Sequence, residues 1–106
     1  MLKSILNLLG FGPKADYAEL MKNGAIIVDV RSKGEYSTGH IEGSLNIPVE
    51  GIRKNIGKLE GKQDTPIITC CASGMRSATA KGVLKAKGFK QVYNGGAWIT
   101  LDGKIN

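Results

Sequence analysis

The strongest constraint on the fold of this chain is an alternation. Short β-branched apolar runs are separated by stretches with helical spacing. Ala25-Ile26-Ile27-Val28-Asp29 and Pro66-Ile67-Ile68-Thr69 are almost continuously apolar, the pattern of strands covered on both faces rather than one. Ser44 to Ile47 reads as a short strand ended by Pro48, and Gln91-Val92-Tyr93 as a last strand. Between these lie the helical signals. Asp16 to Lys22 places Tyr17, Leu20 and Met21 on one face, with Asn23-Gly24 as its stop. Ser32 to Thr38 holds one or two turns, and Val49 to Leu59 carries Ile52, Ile56 and Leu59 at helical spacing. Ser77 to Lys87 has an inner face of Ala80, Val83 and Leu84 and is terminated by Gly88, while Asn94-Gly95-Gly96 reads as a turn leading into a final turn around Trp98. Strands alternating with helices predict an α/β domain with a mainly parallel central sheet and helices on both faces. Ligands in such sheets bind beyond the carboxyl ends of the strands, which is where Cys71 and Asp29-Val30-Arg31 fall.

The chain has 106 residues, the size of one small domain. The boundaries read as an N-terminal segment over 1–13 and the α/β domain over 14–106. Leu2, Ile5, Leu6 and Leu9 form an amphipathic stripe stopped by Gly10 and Gly12-Pro13. It is read as a helix on the domain's own surface, with a short membrane-surface anchor as the alternative and a signal peptide disfavoured by its brevity. No stretch approaches the roughly twenty apolar residues of a membrane span. The net charge is +6, but the lysines are scattered from Lys3 to Lys104 and no run exceeds two basic residues. That pattern argues against nucleic acid and for attraction of a small anion or an acidic partner.

The two cysteines, Cys70 and Cys71, are adjacent. Vicinal residues make a strained bridge, so both are read as free thiols in a reducing, cytoplasmic compartment. Two cysteines and one histidine do not furnish a zinc site without matched carboxylates, and no metal or organic cofactor is expected. The run Cys70-Cys71-Ala72-Ser73-Gly74-Met75-Arg76-Ser77 puts a thiol where a buried strand ends and a helix begins. Amides at a helix start are unpaired and carry positive dipole charge. A loop of small residues can turn them inward as an anion cradle, and the same field lowers a cysteine pKa. Gly74 permits the backbone angles this needs, and Arg76 adds a fork of cationic donors.

Three segments in order resemble the rhodanese-like domain family: Asp29-Val30-Arg31 with Glu35-Tyr36 and Gly39-His40-Ile41-Glu42-Gly43-Ser44-Leu45-Asn46-Ile47-Pro48; the loop Cys71 to Ser77; and Gly88-Phe89, Val92 and Gly95-Gly96-Ala97-Trp98. The resemblance implies a single-domain sulfurtransferase. In it Cys71 takes a sulfane sulfur from thiosulfate or a persulfidated protein, becomes a persulfide, and hands the sulfur to a thiol or cyanide. It implies that Ala72, Ser73, Gly74, Met75, Arg76 and Ser77 bind the substrate and that Asp29 and Arg31 support the site as a structural pair. Thiosulfate-preferring relatives often carry a basic residue directly after the cysteine. Ala72 stands there, which points to a protein persulfide as the natural donor. Cys70 occupies a position where relatives often place an aromatic.

The alternatives are a rhodanese-fold interaction module without activity and a cysteine-dependent phosphatase or arsenate reductase. Four residues separate Cys71 from Arg76, whereas the phosphatases of this fold use five, and the loop holds no acid to protonate a leaving group. At single residues, Cys70 is read as a side chain pointing opposite to Cys71, with a resolving thiol as the sharper reading. Arg76 is either an anion binder or paired with a carboxylate. His40 is read as a hydrogen-bonded structural histidine ahead of a catalytic base, and Trp98 with Gly95-Gly96 as packing and turn residues.

Overall fold

The structure is a computed structural model that describes residues 15–106; the N-terminal segment 1–13 lies outside them. Four strands, β1 (Ile26–Asp29), β2 (Leu45–Asn46), β3 (Ile67–Cys71) and β4 (Val92–Ala97), form one sheet in the order β2-β1-β3-β4. Every pairing is parallel. The helices are α1 (Tyr17–Lys22), α2 (Lys33–Thr38), α3 (Met75–Ala86) and α4 (Trp98–Ile105), with 3-10 turns at Val49–Gly51 and Ile56–Leu59.

The sheet separates two apolar cores. One contains Val28, Val30, Ile67, Cys71 and Val92 packed against Ala80, Val83 and Leu84 of α3 and against Ile52 and Leu59 of the 3-10 segment. The other contains Ile27, Ile68 and Cys70 packed against Leu101 of α4, with Tyr17, Leu20 and Met21 of α1 alongside. Helices therefore cover both faces, and β1 and β3 are apolar apart from the buried Asp29 and Thr69 because neither face meets water.

Local chemistry explains the element ends. Asp16 caps α1 by accepting from the Glu19 N–H. Ser32 and Glu35 form a reciprocal capping box on α2, which is how a six-residue helix with no buried residue is held at its start. Helix α3 begins at Met75, two residues ahead of the expected Ser77, because Gly74 takes a left-handed φ of 102° and serves as its N-cap. Val49 to Leu59 is not one helix. Gly51 and Gly57 fall within the stretch, and it breaks into two 3-10 turns that still bury Ile52 and Leu59.

The expected turn at Asn94-Gly95-Gly96 is instead part of β4. Thr69 faces Asn94 while Cys71 faces Ala97, so β4 carries an extra residue there, a bulge of the kind that re-aims a strand beside a site. Gly96 supplies the positive φ of 79°. The final turn around Trp98 extends to Ile105 as α4, whose Trp98, Leu101 and Ile105 all face the second core. At Gly95 a Cβ would lie 2.8 Å from Ile68 Cγ2, 2.8 Å from Leu101 Cδ2 and 2.9 Å from the Thr69 carbonyl oxygen. The last contact is backbone and cannot rotate away. Gly95→Ala should therefore cost roughly 1–3 kcal/mol of stability in urea unfolding; an unchanged midpoint would contradict the close approach of β4 to β3.

Candidate active site

Strand β3 delivers Cys71 to the sheet's carboxyl end, and the chain then turns through Ala72-Ser73-Gly74 into α3. Cys71 has no exposed surface, yet it is not sealed in hydrocarbon alone. The Gly74 N–H donates to its Sγ at 2.9 Å, and the Ser77 Oγ lies 3.6 Å away. Burial pushes the thiol pKa up. The Ser77 amide, with the Gly74 and Ser73 amides, more than offsets this and holds it below the ordinary 9.0. Hydrogen bonds to a charged acceptor are worth about 1.5–3 kcal/mol each, so several converging on one sulfur outweigh its desolvation. Of the loop residues, Ser73, Gly74 and Ser77 thus act on the sulfur directly. Ala72, Ser73 and Met75 are exposed, and Met75 is the most exposed large apolar side chain among the described residues, at 79%.

Cys70, one residue earlier, points into the other core. Burial first, and then the Asp29 carboxylate, push its thiol up to about 12. A thiol with that ionisation, on the far side of the sheet, is not placed to resolve a persulfide on Cys71. Both cysteines are free.

Sequence reasoning missed two residues. Asn94, on β4, ties the loop down. Its Oδ1 accepts from the Ser77 hydroxyl at 2.5 Å and from the Gly96 N–H at 3.0 Å, and its Nδ2 donates to the Gly74 carbonyl at 3.2 Å. The bulge makes this reach possible, and from sequence Asn94 looked like a turn residue. Glu35 is the second. Its two oxygens accept from Arg76 Nη1 at 2.7 Å and Nη2 at 3.0 Å. That contact spans 41 residues of chain, which local spacing does not reveal. The guanidinium first, then the Ser32 N–H and hydroxyl, hold the Glu35 carboxyl at about 2.

Asp29 and Arg31 form a buried pair. Arg31 Nη2 reaches Asp29 Oδ2 at 2.7 Å, and its Nε donates to both carboxylate oxygens at 3.0 Å. The same guanidinium donates to the Gly39 and Glu35 carbonyls at 2.7 and 3.3 Å and stacks over Trp98 at 4.6 Å. It thereby fixes α2, which carries Glu35. His40 is exposed, stacked on Tyr36 at 3.7 Å with its Nδ1 at 2.7 Å from the Tyr36 carbonyl oxygen. A groove of about 520 Å³ bordered by Lys33, Tyr36, His40, Pro48 and Lys58 contains no residue of the Cys71 loop. Among the described residues, no group of histidines, cysteines and carboxylates is arranged to hold a metal ion.

Comparison with known proteins places the chain in a family. The family model for the rhodanese-like domain matches residues 14–97. The chain belongs to the rhodanese-like domain family. It is 34% identical to the thiosulfate sulfurtransferase GlpE of Ectopseudomonas mendocina, over 72% of this chain and 68% of that protein. It is 38% identical to Escherichia coli YibN over 68% of this chain but only 51% of YibN, and 35% identical to a Bacillus licheniformis tRNA uridine(34) hydroxylase over 87% of this chain and 30% of that enzyme. The chain therefore spans about half or less of these two relatives. An E. coli rhodanese solved with anions superposes with a TM-score of 0.67 at 26% identity, covering 72% of this chain and 89% of that one.

Two measurements check the site of this rhodanese-like domain. Ultraviolet thiolate absorbance should show one cysteine ionising below pH 9.0, lost in Cys71→Ser and kept in Cys70→Ser. Because the folded value is the lower one, the ionised sulfur stabilises the fold above the ordinary thiol value, and that contribution is lost as pH falls through the folded value. Asn94→Ala should raise this midpoint and lower stability by about 1–3 kcal/mol; a midpoint that stays put would remove Asn94 from the support of the loop.

Proposed function

We propose that the domain is a sulfurtransferase working by double displacement, with Cys71 as nucleophile and sulfur carrier. The observation that carries this is the Gly74 amide 2.9 Å from Cys71 Sγ, at the start of α3. Main-chain amides that stabilise a thiolate also stabilise the outer sulfur of a persulfide. The thiolate attacks the sulfane sulfur of the donor, the S–S bond of the donor breaks, and its electron pair leaves with the departing anion. With thiosulfate the leaving group is sulfite. An acceptor thiolate or cyanide then takes the outer sulfur, and the Cys71 thiolate is regenerated. No proton needs to move in the first step, so no catalytic base is required.

Access is narrow. Cys71 is fully covered, so Sγ meets a donor only when the exposed Ala72-Ser73 segment yields slightly. This favours delivery of a single sulfur atom at the end of a donor over a bulky tetrahedral group. A phosphatase also needs a proton donor for its leaving group. The carboxyl bound at the loop, Glu35, is held ionised with a pKa of about 2 and both its oxygens on Arg76. With buried free thiols, the function belongs in a reducing compartment. Sulfur donor and acceptor are small anions, thiols or a persulfidated protein.

Intact-mass analysis after exposure to thiosulfate or to a small persulfide tests the reading. The expected result is a gain of one sulfur that cyanide removes as thiocyanate, absent in Cys71→Ser and retained in Cys70→Ser. Absence of any adduct on the wild-type chain, with hydrolysis of an aryl phosphate or with a stable protein complex alone, would replace it by the phosphatase or the interaction-module reading.

A further inference from the structure

We propose that Glu35 is a specificity-determining residue: its bidentate ion pair with Arg76 cancels the loop's only side-chain cation, so the site takes singly charged sulfane donors in preference to doubly charged thiosulfate. The inference rests on the sulfurtransferase reading and adds to it the charge class of the donor. The pair is closed at 2.7 and 3.0 Å on both terminal guanidinium nitrogens. From Ala72 to Ser77, Arg76 is the only ionisable side chain. With it neutralised, the attraction left for an anion comes from amide dipoles, which act at short range on the sulfur they touch. Glu50 also acts electrostatically on Arg76, adding a further negative charge to the surroundings of the mouth. A dianion gains most from a full positive charge and loses most when that charge is cancelled.

Glu35 is also built to keep this role. It is the N3 residue of the α2 capping box, where Ser32 N–H and Oγ bond its Oε1 at 3.2 and 3.0 Å, and Arg31 anchors the same helix through the Glu35 and Gly39 carbonyls. The countercharge is therefore fixed by α2 rather than carried on a free side chain.

Thiosulfate and methanethiosulfonate offer the same sulfane sulfur on a sulfonyl centre and differ by one charge. In each case the Cys71 thiolate takes the sulfane sulfur; sulfite leaves from the first and methanesulfinate from the second, and charge is conserved. Glu35→Gln keeps an oxygen for the Ser32 cap and for Arg76 but removes the negative charge. The ratio of kcat/KM for thiosulfate over methanethiosulfonate should rise about three- to tenfold at low ionic strength and fall back toward the wild-type value at high salt. Arg76→Met should lower the ratio, and the double variant should return it near wild type, because the ratio follows the net charge of the pair. A ratio unchanged in Glu35→Gln, or changed without dependence on salt or on Arg76, overturns the inference while sulfur loading of wild-type Cys71 leaves the activity standing. No loading of the wild-type chain by either donor would overturn both.

Discussion

The site depends on one balance: a sulfur removed from water whose ionisation is nonetheless made easier than in a free thiol. Burial alone works against the thiolate. Cys70 shows the size of that opposition, since its thiol, in apolar packing with Asp29 nearby, is driven to about 12. Cys71 is as fully covered but shifts the other way. The two differ because a strand sends successive side chains to opposite faces. One face of β3 ends under the helix start and its unpaired amides; the other ends over α4 with none. The local sequence Cys-Cys thus yields two thiols whose ionisation shifts in opposite directions, because the pleat sends one to the loop amides and the other to apolar packing near Asp29.

That balance is only as good as the loop that imposes it, and the loop is held from two sides. On the β4 side, Asn94 grips the Gly74 carbonyl and the Ser77 hydroxyl through the bulge at Gly95-Gly96. Gly74 itself packs so closely that a Cβ there would lie 3.3 Å from the Gly96 Cα. On the β1 side, Asp29 orients Arg31, Arg31 holds α2, and α2 presents Glu35 to Arg76. A buried pair such as Asp29–Arg31 is a weak source of net stability. Its worth here lies in position, because one guanidinium satisfies a carboxylate, two carbonyls and an indole face at once.

The parts legible in the sequence are those set by local periodicity and by adjacent residues. The continuous apolar runs identify β1 and β3 as doubly covered, and the inner face of α3 follows from Ala80, Val83 and Leu84. The strand-to-helix junction at Cys71 is readable for the same reason. What escaped is non-local or depends on backbone twist. Asn94-Gly95-Gly96 has turn composition, and only its pairing with β3 makes it strand. Val49 to Leu59 has helical spacing, but the glycines at 51 and 57 leave two short 3-10 turns. Helix α4 has no side-chain cap at Ala97, so only the spacing of Trp98, Leu101 and Ile105 could have announced it. For Arg76 the sequence left two roles open. The choice of partner is made across 41 residues by the placement of α2.

That placement bears on what kind of anion site this is. A loop can bind negative charge with side-chain cations, with amide dipoles, or with both. Cations act at long range and raise affinity for any anion near the mouth. Amides act over one hydrogen-bond length and reward only an atom seated among them. Here the long-range component is cancelled by Glu35 and the short-range component converges on Cys71 Sγ. The chain as a whole carries a net charge of +6, which on the proposed reading would still draw an acidic carrier toward it. On the proposed reading, recognition then rests on the seated sulfur atom, and a doubly charged donor loses the attraction that an unpaired guanidinium would give it. This division suits a carrier of single sulfur atoms, whose donor and leaving group differ from one transfer to the next while the transferred atom stays the same.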